Sequence, residues 1–161
     1  MATIQINRTV SHLPEAVWAA FADFGGVHRF HPMVEHSPLH ESAPQQGLGA
    51  ERTCHFYDGN EVQERIVRWT DQQAMEIEVF GGSMPLRDAN VRIELSPRGN
   101  GTTVQISMHY VPKFGVVGRL MDTLMIRRKL SSTLGLLLDA LDEHLRTGKP
   151  IGPDFAPAKA A

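Results

Sequence analysis

From Pro32 to about residue 111 apolar and polar residues alternate with period two, and after Pro112 the apolar period changes to steps of three and four. That change of period constrains the fold more than any other feature. A succession of one-faced strands needs cover, and one long amphipathic helix is the only element left to supply it. The clearest strand sets are Met75, Ile77, Val79; then Val91, Ile93, Leu95; then Val104, Ile106, Met108, Tyr110. Each set shares a face and is expected to point inward. Turn residues separate the strands at Gln45 to Gly49, Asp58-Gly59-Asn60, Asp71-Gln72, Gly81-Gly82 and Pro97 to Gly101. The helical stripe runs through Val117, Leu120, Met121, Leu124, Leu130, Leu134, Leu137, Leu138, Leu141 and Leu145, which makes about eight turns. Gly148 and Pro150 end it in the expected order.

Ahead of the meander, Ile4, Ile6 and Val10 mark a first strand over residues 2–10. Leu13-Pro14-Glu15 opens a helix, since proline is tolerated at the first helical position and a first-turn glutamate suits the helix dipole. Val17, Trp18 and Phe21 are its buried stripe, Asp23 to Gly26 break it, and a second short helical segment, Val27 to His31, stops before Pro32. The order β, α, α, six strands, long helix predicts an α+β chain. Its core is a curved seven-stranded antiparallel sheet wrapped around a long C-terminal helix, with two short helices after strand 1. One domain over residues 1–149 and a flexible C-terminal tail over 150–161 follow. Periodicity alone leaves open whether sheet and helix pack solid or enclose a space.

Composition narrows the function classes. With 161 residues, 42% apolar and 21% charged, the chain can bury one ordinary core. A net charge of −2 with scattered Lys and Arg offers no basic field, so nucleic acid is not an expected partner. No apolar run approaches the roughly 20 residues of a membrane span. Cys54 is the single cysteine, and the N-terminus lacks the charged and apolar regions of a secretory leader, so a cytoplasmic location is expected. The oligomeric state has no signature. No GxSxG elbow, Ser-xx-Lys pair or phosphate-cradling glycine pattern occurs, which disfavours covalent catalysis and nucleotides; no cofactor is expected.

Several residues occur in a suggestive order: Val17-Trp18, Phe24-Gly25 to His31-Pro32, Gly49-Ala50-Glu51-Arg52, Asp58-Gly59, Glu64, Asp71, and Gly99 to Val104. In this the chain resembles, over nearly its whole length, the Bet v 1-like or START-like (SRPBCC) helix-grip proteins, and among them the bacterial polyketide cyclase/dehydrase and lipid-transport group. It departs from the group's pattern at Phe30, where a tryptophan commonly precedes the His-Pro pair. The resemblance implies a cavity between sheet and C-terminal helix that takes a hydrophobic small molecule such as a lipid or polyketide. It implies a carrier or sensor, or alternatively an aromatase/cyclase- or dehydratase-type enzyme without a cofactor.

In the hairpin around Asp58-Gly59 the apolar residues Cys54, Phe56, Val62 and Ile66 must share one face, so Arg52 and Glu64 point the same way. An inward Arg and Glu are costly unless they pair with each other or with a ligand. Two readings stand side by side: a polar anchor in an apolar site, or a structural ion pair bracing the strands. Arg68 shares the parity of Glu64 and could extend the pair. His28, His31 and His36 lack the spacing of a metal site, so no metal is expected. His28, Phe30 and His31 would line the cavity mouth if the resemblance holds. Tyr110 is either a ligand donor or a core tyrosine, and Cys54, without a flanking base, is a small apolar lining residue. Met121, with the other methionines, is adaptable lining or core filler, and the segments 80–85 and 111–117 are gating loops or ordinary turns. The candidate ligand-binding set is therefore Arg52, Glu64, Phe30, His28, His31, Cys54, Phe56, Tyr110 and Met121, with catalytic residues unassigned. For an enzyme, Arg52, Glu64, His28 or Tyr110 would have to serve, and pairing with arginine makes a glutamate a poor base.

Overall fold

A computed structural model describes residues 1–113 and 125–158. The period-two segments form strands β1 (Ala2–Val10), β2 (Val34–His36), β3 (Glu51–Phe56), β4 (Glu61–Thr70), β5 (Ala74–Gly82), β6 (Leu86–Arg98) and β7 (Gly101–Pro112). Helix α1 spans Pro14–Ala22, a 3-10 helix spans Phe24–Arg29, and the long helix α2 spans Arg127–Thr147. The strands make one antiparallel sheet of order β1-β7-β6-β5-β4-β3-β2, so β2 to β7 form a plain meander and only β1 pairs out of sequence, with β7. This is the α+β architecture that the change of period predicts.

The inward sets behave as their alternation requires. Met75, Ile77, Ile93, Leu95, Val104, Ile106, Met108 and Tyr110 are all buried; the first six share a core cluster with Leu137, Leu138 and Leu141 of α2, whereas Met108 and Tyr110 form a second cluster against which Leu130 and Leu134 pack. Each such large apolar side chain stabilises the fold by about 1.5–3 kcal/mol when fully buried. Helix α1 buries Val17, Trp18, Phe21 and Ala22, and the Trp18 indole donates to the Asp71 carboxylate at 3.1 Å, tying α1 to the β4–β5 turn. Gly148 closes α2 in the left-handed conformation, φ 69°, with its N–H on the His144 carbonyl. Just beyond, Ile151 is buried and its N–H donates to the Arg29 carbonyl at 2.8 Å, within the stretch expected to be a tail. The residues 114–124, which hold Val117, Leu120, Met121 and Leu124 of the expected stripe, lie outside the described residues.

Three local expectations are corrected. The second short helix begins at Phe24 and ends at Arg29, earlier than Val27 to His31, because Gly26 turns against Asp23 so closely that a Cβ there would strike its carboxylate. Gly81 and Gly82 belong to the end of β5, and the bend falls on Ser83 to Pro85. Arg68 does not extend the Arg52–Glu64 pair. The β4–β5 register slips between Ile66 and Arg68, and this bulge reverses the parity. Arg68 therefore points to solvent, 74% exposed and 3.5 Å from Glu76, while Trp69 turns inward, edge-on to Trp18 at 4.9 Å.

Candidate functional site

The β3–β4 hairpin sets the site. Gly59 takes φ 84° and the Asp58 carboxylate accepts the Asn60 N–H at 3.0 Å, so the turn is short and the register is fixed. Arg52 then lies directly opposite Glu64, and Cys54 opposite Val62. Arg52 Nε and Nη2 each lie 2.6 Å from Glu64 Oε2, with the two side chains only 8% and 14% exposed. Arg52 Nη1 donates to the Phe24 carbonyl at 2.7 Å, and the guanidinium carbon lies 3.9 Å from the centre of the Phe24 ring. One side chain thus joins β3, β4 and the start of the 3-10 helix. Burial, the largest single influence, works to lower the Arg52 pKa, but Glu64 and Cys54 together outweigh it, the net shift is upward, and the guanidinium stays charged.

Next to this pair lies an inner hollow of about 100 Å³. Its walls come from Phe21 of α1, Phe24 and Val27 of the 3-10 helix, Phe30, five aliphatic or thioether side chains of β5 to β7, and Leu134 and Leu137 of α2. Its polar lining is His31, Arg52 and Glu64. A second, outer hollow of about 170 Å³ is lined by Met33, Phe56, Met84 to Leu86, Ile126 and Leu130, with Asp58, Asn60, Lys129 and Thr133 as its polar members. The His31 ring meets Phe56 edge-on at 6.2 Å, each ring bordering a different hollow. Burial pushes the His31 imidazole down to about 4, with Glu64 opposing and Arg52 adding to the shift, so it is neutral at physiological pH.

The remaining expected site residues are placed as follows. Phe30 is buried in the inner wall, edge-on to Phe21 at 5.7 Å and stacked on His144 at 6.1 Å. His28 turns away: its Nδ1 lies 2.9 Å from the Ser37 hydroxyl and 3.1 Å from the Gly25 carbonyl. Cys54 lies behind the pair, its thiol donating to Glu64 Oε2 at 3.6 Å, and burial followed by Glu64 pushes the thiol well up from its ordinary range. Tyr110 packs with Ile4, Ala89 and Met108. Neither Cys54 nor Tyr110 borders the two hollows described, and Met121 lies outside the described residues. Sequence reasoning missed Phe21, Phe24, Met33, Leu134 and Leu137 as walls of these hollows. Their apolar periodicity marked the helical ones as buried, without distinguishing core from cavity wall.

Among the described residues no three His, Cys, Asp or Glu side chains are grouped so as to hold a metal ion, and no helix is long and apolar enough to cross a membrane. A family model described as polyketide cyclase / dehydrase and lipid transport matches residues 1–146. No curated protein matches the chain. Among solved structures, XoxI from Bacillus cereus is similar with a TM-score of 0.73 and 18% identity, covering 91% of this chain and 97% of that one. Ara h 8.0201 gives a TM-score of 0.73 at 14% identity over 91% and 98% of the two chains. Major latex-like protein 151 from Panax ginseng gives 0.72 at 14% identity over 89% and 96%. At such identities the likeness establishes the fold, the Bet v 1-like helix-grip arrangement.

Proposed function

Because the chain belongs to the polyketide cyclase / dehydrase and lipid transport family, we propose that it binds a hydrophobic small molecule, of lipid or polyketide type, between its sheet and α2, as a carrier or sensor. The observation that carries this reading is a buried charged pair, Arg52 with Glu64, on the border of a hollow otherwise walled almost entirely by aliphatic and aromatic side chains. Small-molecule sites have that composition: an apolar chamber with a few fixed polar groups. Ligand sites usually enclose about 300–1,000 Å³, more than either hollow alone. A guest of that size therefore requires the walls of these hollows to move apart.

Catalysis of the cyclase or dehydratase type is the weaker reading, because the candidate acid–base groups are engaged. Glu64 Oε2 receives two arginine nitrogens and a thiol, and His28 is held by Ser37. Native mass spectrometry of freshly purified protein, followed by organic extraction, tests the binding reading. A co-purifying lipid- or polyketide-like mass is expected. A protein that arrives empty and also fails to bind fluorescent fatty acids or naphthalene dyes refutes it.

A further inference from the structure

Three polar side chains border the inner hollow, and two are committed to each other. Arg52 directs Nε and Nη2 to Glu64 and Nη1 to the Phe24 carbonyl. His31 differs. Its Nδ1 accepts the Met33 N–H at 3.2 Å. A neutral imidazole carries one proton, so that proton sits on Nε2 and makes it a donor. Nε2 has no hydrogen-bond partner among the described residues, yet no buried side-chain nitrogen or oxygen there lacks one. Nε2 is therefore not sealed in packed protein; it opens onto space, and the ring borders the inner hollow while touching Phe56, which lines the outer one.

The nearby charges select among acceptors. Glu64 neutralises Arg52 and is itself an anion beside His31, so a carboxylate guest meets repulsion at Nε2, and the cation of the outer hollow, Lys129, already lies in the field of the Asp58 carboxylate. A hydrocarbon leaves the Nε2–H without a partner once water is expelled, which costs the full desolvation of the donor. We propose that the His31 Nε2–H is the specificity-determining donor of the ligand site, and that its occupant is a hydrophobic molecule bearing a neutral acceptor oxygen, of the ketone class, held against the polar edge of the inner hollow. This rests on the ligand-binding reading above.

The test uses three matched probes, 2-acetylnaphthalene, 2-isopropylnaphthalene and 2-naphthoate, titrated into the full chain by calorimetry. For the native protein the ketone is expected to bind about tenfold more tightly than the hydrocarbon, with the carboxylate weaker than the ketone. In His31→Leu the ketone should fall to the affinity of the hydrocarbon, whose own binding should not change; His31→Gln, which keeps an N–H donor, should restore part of the preference. Long-range proton–nitrogen NMR should place the imidazole proton of His31 on Nε2. A ketone preference that survives in His31→Leu overturns the proposal, as does a proton on Nδ1 or tightest binding of 2-naphthoate. If the probes bind without preference, only the His31 assignment fails; if none binds the native protein, the ligand-binding reading fails and takes this one with it.

Discussion

Replacing Arg52 by methionine while keeping Glu64 is expected to cost about 4 kcal/mol at neutral pH. The side chains are 8% and 14% exposed, so water cannot take the place of the lost partner. Stranding one member of a buried pair costs about 3–5 kcal/mol, and the loss is capped because a carboxyl can be neutralised at pH 7 for about 3–4 kcal/mol. The Phe24 carbonyl, which accepts Arg52 Nη1, loses its partner and adds about 1 kcal/mol. Removing both charges is a different perturbation. Arg52→Met with Glu64→Leu fills similar volume and strands no ion, and should lie within about 2 kcal/mol of the native protein. Urea unfolding followed by tryptophan fluorescence measures all three. Lowering the pH to 5 should recover part of the loss in the single variant, because protonation removes the stranded charge. A single variant as stable as the native protein, or a double variant no better than the single one, refutes the reasoning.

His31 makes stability fall in acid. Its folded pKa of about 4 lies below the ordinary 6.5, so between those values the unfolded chain binds the extra proton, and about 3 kcal/mol is lost as pH falls through that window; His31→Leu should flatten the slope in urea titrations at pH 7.5 and 4.5, and equal slopes refute the assignment. Cys54, buried with its thiol pushed up, should react with Ellman's reagent only at the rate of unfolding; stoichiometric labelling of the native protein within seconds contradicts its placement. Gly82 holds φ 121° with its Cα facing the Glu61 carbonyl, so Gly82→Ala should destabilise by about 2 kcal/mol in the same unfolding assay, and a neutral effect means that the β5 end is not built this way.

The facing of Arg52 and Glu64 was legible because it depends on one short hairpin: Asp58-Gly59 fixes the register and parity does the rest. Parity fails beyond the first irregularity, which is why Arg68 reads as inward and lies outward; a bulge leaves no compositional mark in Ile66-Val67-Arg68. The change to a helical period located α2 and its buried leucines. Nothing in that period separates a leucine that fills a core, such as Leu138, from one that walls a hollow, such as Leu137, since both need only be apolar. His28 and His31 read alike in sequence. Their fates diverge because Ser37, nine residues on from His28, returns to bind it, a long-range contact with no local signal.

The pairing of β1 with β7 also orders events in time. Ala2 meets Tyr110 and Val10 meets Thr102, so β1 leaves the ribosome with its sheet partner still roughly 100 residues further along the chain. At about 5–20 residues per second, some 5–20 s pass before that partner exists. Through this interval the meander from β2 to β6 can assemble by neighbour-to-neighbour contacts, whereas β1 waits as an unpaired strand. Its exposed Asn7, Arg8 and Thr9 suit such a wait, since polar and charged residues discourage pairing with strands of other nascent chains.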